Sequence, residues 1–260
     1  APVKTAVIGC GSISGVYIRS LSQLFSIIDL TALCNRTRSK AEEKAARYGV
    51  GRVMTLDEIA ADPEIELVVN LTPPEAHYEV IRQMLEAGKH VFTEKILTAN
   101  LEQSRELTEL AEARGLLLGA APDTVLGAGV QTARKALDAG LIGRVTSCQV
   151  CINRNQSLNA EIFQMLRGSG GSLPYDVGVY YVGALLALLG PVEAVRAFGA
   201  PSPFHEPELL WAAGDGEGFR IPGSGLICAL RAACWPACSL TAAPSTPSST
   251  SSPSLAPRAF

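Results

Sequence analysis

The chain has 260 residues, with 22 Lys and Arg against 25 Asp and Glu and a formal net charge of -3. That length can close one large or two medium hydrophobic cores, and 47% hydrophobic against 18% charged residues fits a globular protein. The faintly acidic balance argues against nucleic acid or an anionic membrane surface as partner, and no apolar run reaches the roughly 18 residues of a membrane span. No basic segment followed by an apolar one opens the chain, and a start at Ala1 without Met fits a processed or partial sequence.

The first element is a β-branched, apolar run, Val3 to Ile8, which predicts a buried strand. It breaks at Gly9-Cys-Gly-Ser-Ile-Ser-Gly15, a pattern that turns the chain and opens a helix. Strand, tight turn and helix start together place a helix N-terminus against a pyrophosphate. Gly9 permits the turn, and Gly11 lets the backbone approach phosphates without a side chain in the way. The third glycine of G-x-G-x-x-G is replaced by Ser14, still small enough for close helix–strand packing, so Gly9, Cys10, Gly11, Ser12 and Ile13 are candidate cofactor contacts. A glycine-rich turn without a ligand is the bland alternative.

A helix-period stripe over Ile13–Phe25 follows, then a second strand over Asp29–Cys34. Some twenty residues beyond Gly15, where such folds place an acid on the ribose 2′-hydroxyl, stand Asn35 and Arg36, with Arg38 and Lys40 close behind. A neutral Asn beside guanidinium groups tolerates a 2′-phosphate that an Asp would repel, so NADP is favoured over NAD. The alternative is a basic, solvated start to the helix Ser39–Tyr48.

Thr55-Leu-Asp-Glu58 reads as a capping box. Ile65–Leu71 is a continuous apolar strand that leads through Leu71, Thr72, Pro73 and His77 into a helix over Glu75–Ala87, closed by Gly88. His90–Thr93 is a further strand delivering Glu94 and Lys95 at its carboxyl end. Asn100 with Gln103 caps a helix to Arg114, and Leu116–Ala120 is one more strand. This βαβ rhythm predicts an α/β fold, a doubly wound parallel sheet of the Rossmann kind, whose ligands gather at the carboxyl ends of the strands. The ends at 9–12, 35–36, 71–77 and 94–95 converge there.

A second unit is expected from residue 122. Gly127–Ala139 reads as a helix stopped by Gly140, Val145–Ile152 as a strand, Gly168–Gly171 as a flexible turn and Tyr175–Leu189 as a long apolar helix. Asp176, Gly178 and Tyr180 are unusual choices near the start of that helix; Asp176 is either a first-turn acid favoured by the helix dipole or part of a site. The seven cysteines are scattered. Cys148 and Cys151 alternate faces of the expected strand and read as core thiols, not a redox pair or zinc clamp. His77, His90 and His205 are far apart, so no metal site is expected, and free thiols point to a reducing cytoplasm. From Ser239 to Phe260, 18 of 22 residues are Ser, Thr, Ala or Pro. The stretch 206–260 is therefore expected to be irregular, either as a disordered tail or as the product of a frameshifted or truncated reading.

Taken in order, Gly9-Cys-Gly-Ser-Ile-Ser14, Leu71-Thr-Pro-Pro-Glu-Ala-His77, Glu94-Lys95, Gly140-Leu-Ile-Gly143 and Gly170-Gly-Ser-Leu-Pro-Tyr-Asp-Val-Gly178 resemble the Gfo/Idh/MocA oxidoreductases over roughly residues 3 to 200. The resemblance implies an NAD(P)-binding Rossmann domain (1–121), a C-terminal α/β domain with an open, largely antiparallel sheet (here a truncated 122–205), and homo-oligomers formed through that sheet. It also implies hydride transfer on sugars, polyols or similar small molecules. Lys95 resembles the lysine of the family's Glu-Lys-Pro motif and Asp176 the acid of its Asp-x-Gly-x-His motif. Ile96 replaces the Pro, and Tyr180 stands where many members place a His. Catalytic roles are thus expected for Lys95, Asp176 and Tyr180, with Glu94 and His77 lining the cofactor. Two alternatives remain: a non-catalytic cofactor-binding sensor of the same fold, and an inactive, truncated product.

Overall fold

The computed structural model describes residues 1–150, 174–198 and 227–232. Its organising element is β1 (Val3–Ile8), at the middle of a six-stranded parallel sheet. The other strands are β2 (Ile28–Cys34), β3 (Arg52–Val53), β4 (Leu67–Asn70), β5 (His90–Thr93) and β6 (Leu118–Ala120), in the order β3-β2-β1-β4-β5-β6. The connecting helices are α1 (Ser14–Gln23), α2 (Arg38–Tyr48), α3 (Leu56–Ala61), α4 (His77–Glu86) and α5 (Leu101–Ala113).

The period of two along β1 decides which layer each residue enters. Val7 faces the layer of α1 and α2, packing with Ile18, Ala41 and Ala45. Ala6 and Ile8 face the opposite layer, where Ile59, Ile81, Met84, Leu85 and Leu107 come from α3, α4 and α5. A strand covered on both faces needs apolar residues on both, which is why Ala6, Val7 and Ile8 of β1 and Leu67, Val68 and Val69 of β4 are consecutive apolar residues. Strand order reverses between β1 and β4, and the crevice of such sheets opens at that switch point.

The local signals act largely as expected. Thr55 and Glu58 cap α3 reciprocally, with the Glu58 N–H donating to Thr55 Oγ1 at 3.2 Å and the Thr55 N–H to Glu58 Oε2 at 2.7 Å. Asn100 caps α5 through the N–H groups of Glu102 and Gln103. Gly88 ends the α4 connection at φ +77°. The sequence reading missed β3, whose two residues pair with Ala32 and Leu33; an edge of that length carries no periodicity.

Beyond the sheet, α6 spans Ala128–Asp138, and a π-type turn over Pro174–Gly178 leads into α7 (Val179–Leu189). The helix expected from Tyr175 is thus regular only from Val179. Strand β7 (Val192–Phe198) pairs antiparallel with β8 (Ile227–Ala232). Within 206–260, expected to be irregular throughout, β8 is therefore a strand: a partner ladder orders a segment that shows no alternation of its own. The described part of the expected strand Val145–Ile152 is a correction in the other direction. Residues 145–150 join neither sheet, because a β-branched run becomes a strand only where a neighbour completes its hydrogen bonds. Cys151, Ile152, the turn 168–171, His205, Cys234 and Cys238 lie outside the described residues. No helix among the described residues is long and apolar enough to cross a membrane.

Candidate active site

At the carboxyl edge of the sheet, each strand-end loop is stitched to its neighbour by a side chain. Gly9 accounts for the tightest approach. It sits at φ +103°, and a Cβ there would fall 2.5 Å from the Leu71 carbonyl carbon and 2.8 Å from the Thr72 nitrogen. Only glycine lets the β1 turn lie against the loop after β4. The Cys10 N–H donates to Asn35 Oδ1 at 2.9 Å, while Asn35 Nδ2 donates to the Thr37 carbonyl at 2.9 Å. The Cys10 thiol turns inward, where burial pushes it up from the ordinary thiol range, so Cys10 offers the turn only its backbone.

Gly11, Ser12 and Ile13 are exposed, and a Cβ on Gly11 would meet nothing within 4 Å. Helix α1 carries no side-chain cap, unlike α3 and α5. An exposed glycine turn running into a helix N-terminus with no side-chain cap fits a dinucleotide pyrophosphate. Ser14, in the third glycine position, is fully buried and donates its hydroxyl to the Gly11 carbonyl at 2.7 Å. Gly15 takes the close-packing role instead: a Cβ there would lie 3.1 Å from the Tyr48 hydroxyl on α2.

On the other side of the crevice Asn70 is a hub that the sequence reading passed over. Fully buried at the end of β4, its Oδ1 accepts from the Thr72 hydroxyl (2.8 Å) and N–H (3.2 Å), and its Nδ2 donates to Thr93 Oγ1 at 3.0 Å. An amide ending an otherwise apolar strand was the available signal. His77, expected to line the cofactor, has no exposed surface. Its ring nitrogens lie 2.6 Å from the Ile96 carbonyl and 2.8 Å from the Thr72 carbonyl, so it clasps the loops after β4 and β5 from beneath. Pro73 is exposed on the rim and Leu71 is buried under it.

Three predicted site residues meet at the end of β5. The Lys95 ammonium donates to Asp176 Oδ1 at 2.5 Å and to the Asp176 carbonyl at 2.7 Å. Both side chains are more than four-fifths buried, at 17% and 14% exposure. The Tyr180 ring centroid is 5.5 Å from the same ammonium, within cation–π range. Capture of a first-turn carbonyl by Lys95 accompanies the widened turn before α7, the kind of irregularity that collects at functional sites. The Lys95–Ile96 peptide is cis. Glu94, expected to line the cofactor, accepts from the Tyr17 hydroxyl at 2.6 Å and from the Lys95 N–H at 3.0 Å. Tyr17 lies within the helix-period stripe Ile13–Phe25, a pattern that by itself marks it only as a packing residue. Of the basic residues after β2, Arg36 is exposed beside Asn35, whereas Arg38 is drawn to Glu42 at 2.9 Å.

A six-stranded parallel sheet with a glycine turn at its switch point defines a dinucleotide-binding Rossmann protein. Residues 3–121 match the oxidoreductase family with an NAD-binding Rossmann fold, and residues 130–214 match the GFO/IDH/MocA C-terminal domain. The chain belongs to the Gfo/Idh/MocA oxidoreductase family. It is 33% identical over 200 residues to an uncharacterized oxidoreductase of Schizosaccharomyces pombe, covering 76% of this chain and 54% of the relative. It is 29% identical over 196 residues to the NADP(+) scyllo-inositol 2-dehydrogenase of Bacillus subtilis, covering 75% and 54%. The chain thus spans about half the length of the curated relatives it matches. Among solved structures, a 3-ketoreductase from Actinomadura kijaniata in complex with TDP-benzene and NADP shares 27% identity at a TM-score of 0.64, over 77% of this chain and 60% of that one. The myo-inositol 2-dehydrogenase of Lactobacillus plantarum shares the fold at a TM-score of 0.78 and 18% identity, over 92% and 69%.

Proposed function

We propose that this protein is an NAD(P)-dependent oxidoreductase that moves a hydride between a nicotinamide and a hydroxyl-bearing carbon of a sugar, polyol or similar small molecule. The observation that carries the reading is the Lys95 ammonium, held by Asp176 at the end of β5, on the same sheet edge as the uncapped glycine turn. Relatives named for inositol and deoxysugar substrates support it. The division of labour would follow the chain, with residues 1–121 holding the cofactor and Asp176 and Tyr180, from beyond them, serving the substrate side.

The backbone of Gly11, Ser12 and Ile13 would hold the pyrophosphate, with Leu71, Thr72 and Pro73 forming the opposite wall. When bound, the nicotinamide supplies the hydride acceptor or donor. Lys95 has three N–H donors, two of them committed to Asp176; the third binds the reacting oxygen and stabilises charge that develops on it. Asp176 aims that ammonium, and Tyr180 covers it with its ring and exchanges the hydroxyl proton. NADP is the favoured cofactor. With Asn35 occupied by Cys10 and Thr37, and Arg38 by Glu42, Arg36 is the group that meets a 2′-phosphate.

Lys95→Met tests the reading. Turnover on an inositol and sugar panel falls by about a hundredfold to ten-thousandfold, while the thermal shift produced by NADPH, larger than that by NADH, is retained. Undiminished turnover removes Lys95 from the mechanism. Cofactor binding by the unaltered protein with no turnover on any substrate favours a sensor.

A further inference from the structure

Tyr17 lies outside the machinery assigned above, yet it touches that machinery at one atom. It belongs to the first turns of α1, the helix that opens on the glycine turn, and its hydroxyl donates to Glu94 Oε1 at 2.6 Å across 77 residues of sequence. The other oxygen of the same carboxylate, Oε2, accepts the main-chain N–H of Lys95 at 3.0 Å. Pinned at both oxygens, a side chain with three rotatable bonds has one conformation to offer. A carboxylate accepts from both sides here, whereas an amide would have to reverse the roles at Tyr17 and donate its NH₂ to the phenol oxygen.

Lys95 is therefore held at two points by two carboxylates. Asp176, from the C-terminal unit, holds its ammonium, and Glu94 holds its backbone. The anchor behind Glu94 is Tyr17, from the dinucleotide helix. Burial, and then the bond to Glu94, pushes the Tyr17 phenol far above its ordinary range, with Asp123 and Tyr180 acting in the same direction. Both effects favour the protonated phenol, which is the form that donates to Glu94.

We propose that Tyr17 is a positioning residue: through the Glu94 carboxylate it ties the backbone of Lys95 to the helix that receives the pyrophosphate, so that the glycine turn and the catalytic ammonium keep one fixed separation. The catalytic half of this statement rests on the hydride-transfer reading above. The mechanical half does not.

Tyr17→Phe removes the hydroxyl and keeps the ring that packs beside the core of α1 and α2. Wild type, this variant, Glu94→Ala and the double variant are compared with NADPH. Amide exchange over residues 93–97, read by mass spectrometry on overlapping fragments, is expected to become about tenfold faster at Lys95 in Tyr17→Phe. The melting temperature and the NADPH affinity stay near wild type. In turnover, kcat falls about tenfold to a hundredfold at unchanged KM. The double variant is no slower than Glu94→Ala alone, because both changes break one strut. Unaltered exchange at Lys95 overturns the proposal, as does a loss of kcat that merely follows a lowered melting temperature. Faster exchange at Lys95 in a protein whose wild type shows no turnover sinks the hydride-transfer reading and leaves the strut standing. Wild-type turnover that Tyr17→Phe matches, with equal exchange, sinks the strut and leaves the reading.

Discussion

The six-stranded sheet and the segment from α6 to β8 are both rich in apolar residues, yet they close in opposite ways. In the sheet the helices that link successive strands cover both faces. Ile18, Leu33, Ile59, Ile81, Met84 and Leu107 are consequently almost wholly buried. Helix α7 is apolar around nearly its whole circumference, and such a helix needs neighbours on every side. Among the described residues its buried cluster is Val145, Leu185 and Leu189, while Tyr181, Val182 and Leu186 are exposed, as are Leu126, Leu141 and Ile142 nearby. A parallel βαβ array is nearly self-sufficient in sequence order, whereas an all-apolar helix depends on partners supplied from elsewhere. The candidate site lies between the two: Lys95 belongs to the first kind of structure and Asp176 to the second.

Paired truncations measure this contrast most directly. Met84→Ala, at a position with no exposed surface, is expected to lower unfolding stability by about 2–5 kcal/mol. Leu185→Ala, in the sparser cluster, should cost less than half as much; equal losses in denaturant titration would erase the distinction. Gly9→Ala comes next. It forces a side chain into φ +103° and against the Leu71 backbone, a strain of about 1–3 kcal/mol. It also prises the turn from the loop after β4, so the NADPH-induced thermal shift should vanish while the sheet's circular dichroism persists. The smallest effect is an alkaline one confined to the sheet. Burial, reinforced by Cys10 and Glu58, raises the Cys34 thiol from its ordinary 9.0 to about 11. A raised folded-state value means the contribution is complete below pH 9.0 and is lost as pH rises through about 11. Cys34→Ala should flatten the fall in melting temperature over that window, and an unchanged profile would show that the thiol plays no part.

How much of this was readable in the sequence differs along the same divide. The capping box at Thr55 and the cap at Asn100 are local devices, each satisfied by atoms a few residues away, and the strands Val3–Ile8 and His90–Thr93 are legible from residue type although their ladder partners lie more than twenty residues distant. Residues 145–150 and Ile227–Ala232 were misread for one reason: whether a stretch is a strand depends on a partner that may lie far along the chain. At the site, strand-end placement drew attention to Lys95, whereas Asp176 and Tyr180 were picked out by the resemblance of their motif to that of the family. Tyr17 was missed because its contact lies 77 residues distant, and Asn70 because its bond to Thr93 across 23 residues is what turns a local bond to Thr72 into a link between two strand ends.

By itself, the sequence determined the sheet, its two covered faces and the glycine turn, because period-two burial and the backbone freedom of Gly9 are properties of short segments. Only the tertiary structure decided that His77 lies beneath the crevice, that Asn35 is spent on closing the turn, and that Asp176 meets Lys95 across 81 residues. Which of several chemically equivalent groups a donor finds depends on where the strand ends are brought together, and no local pattern contains that distance.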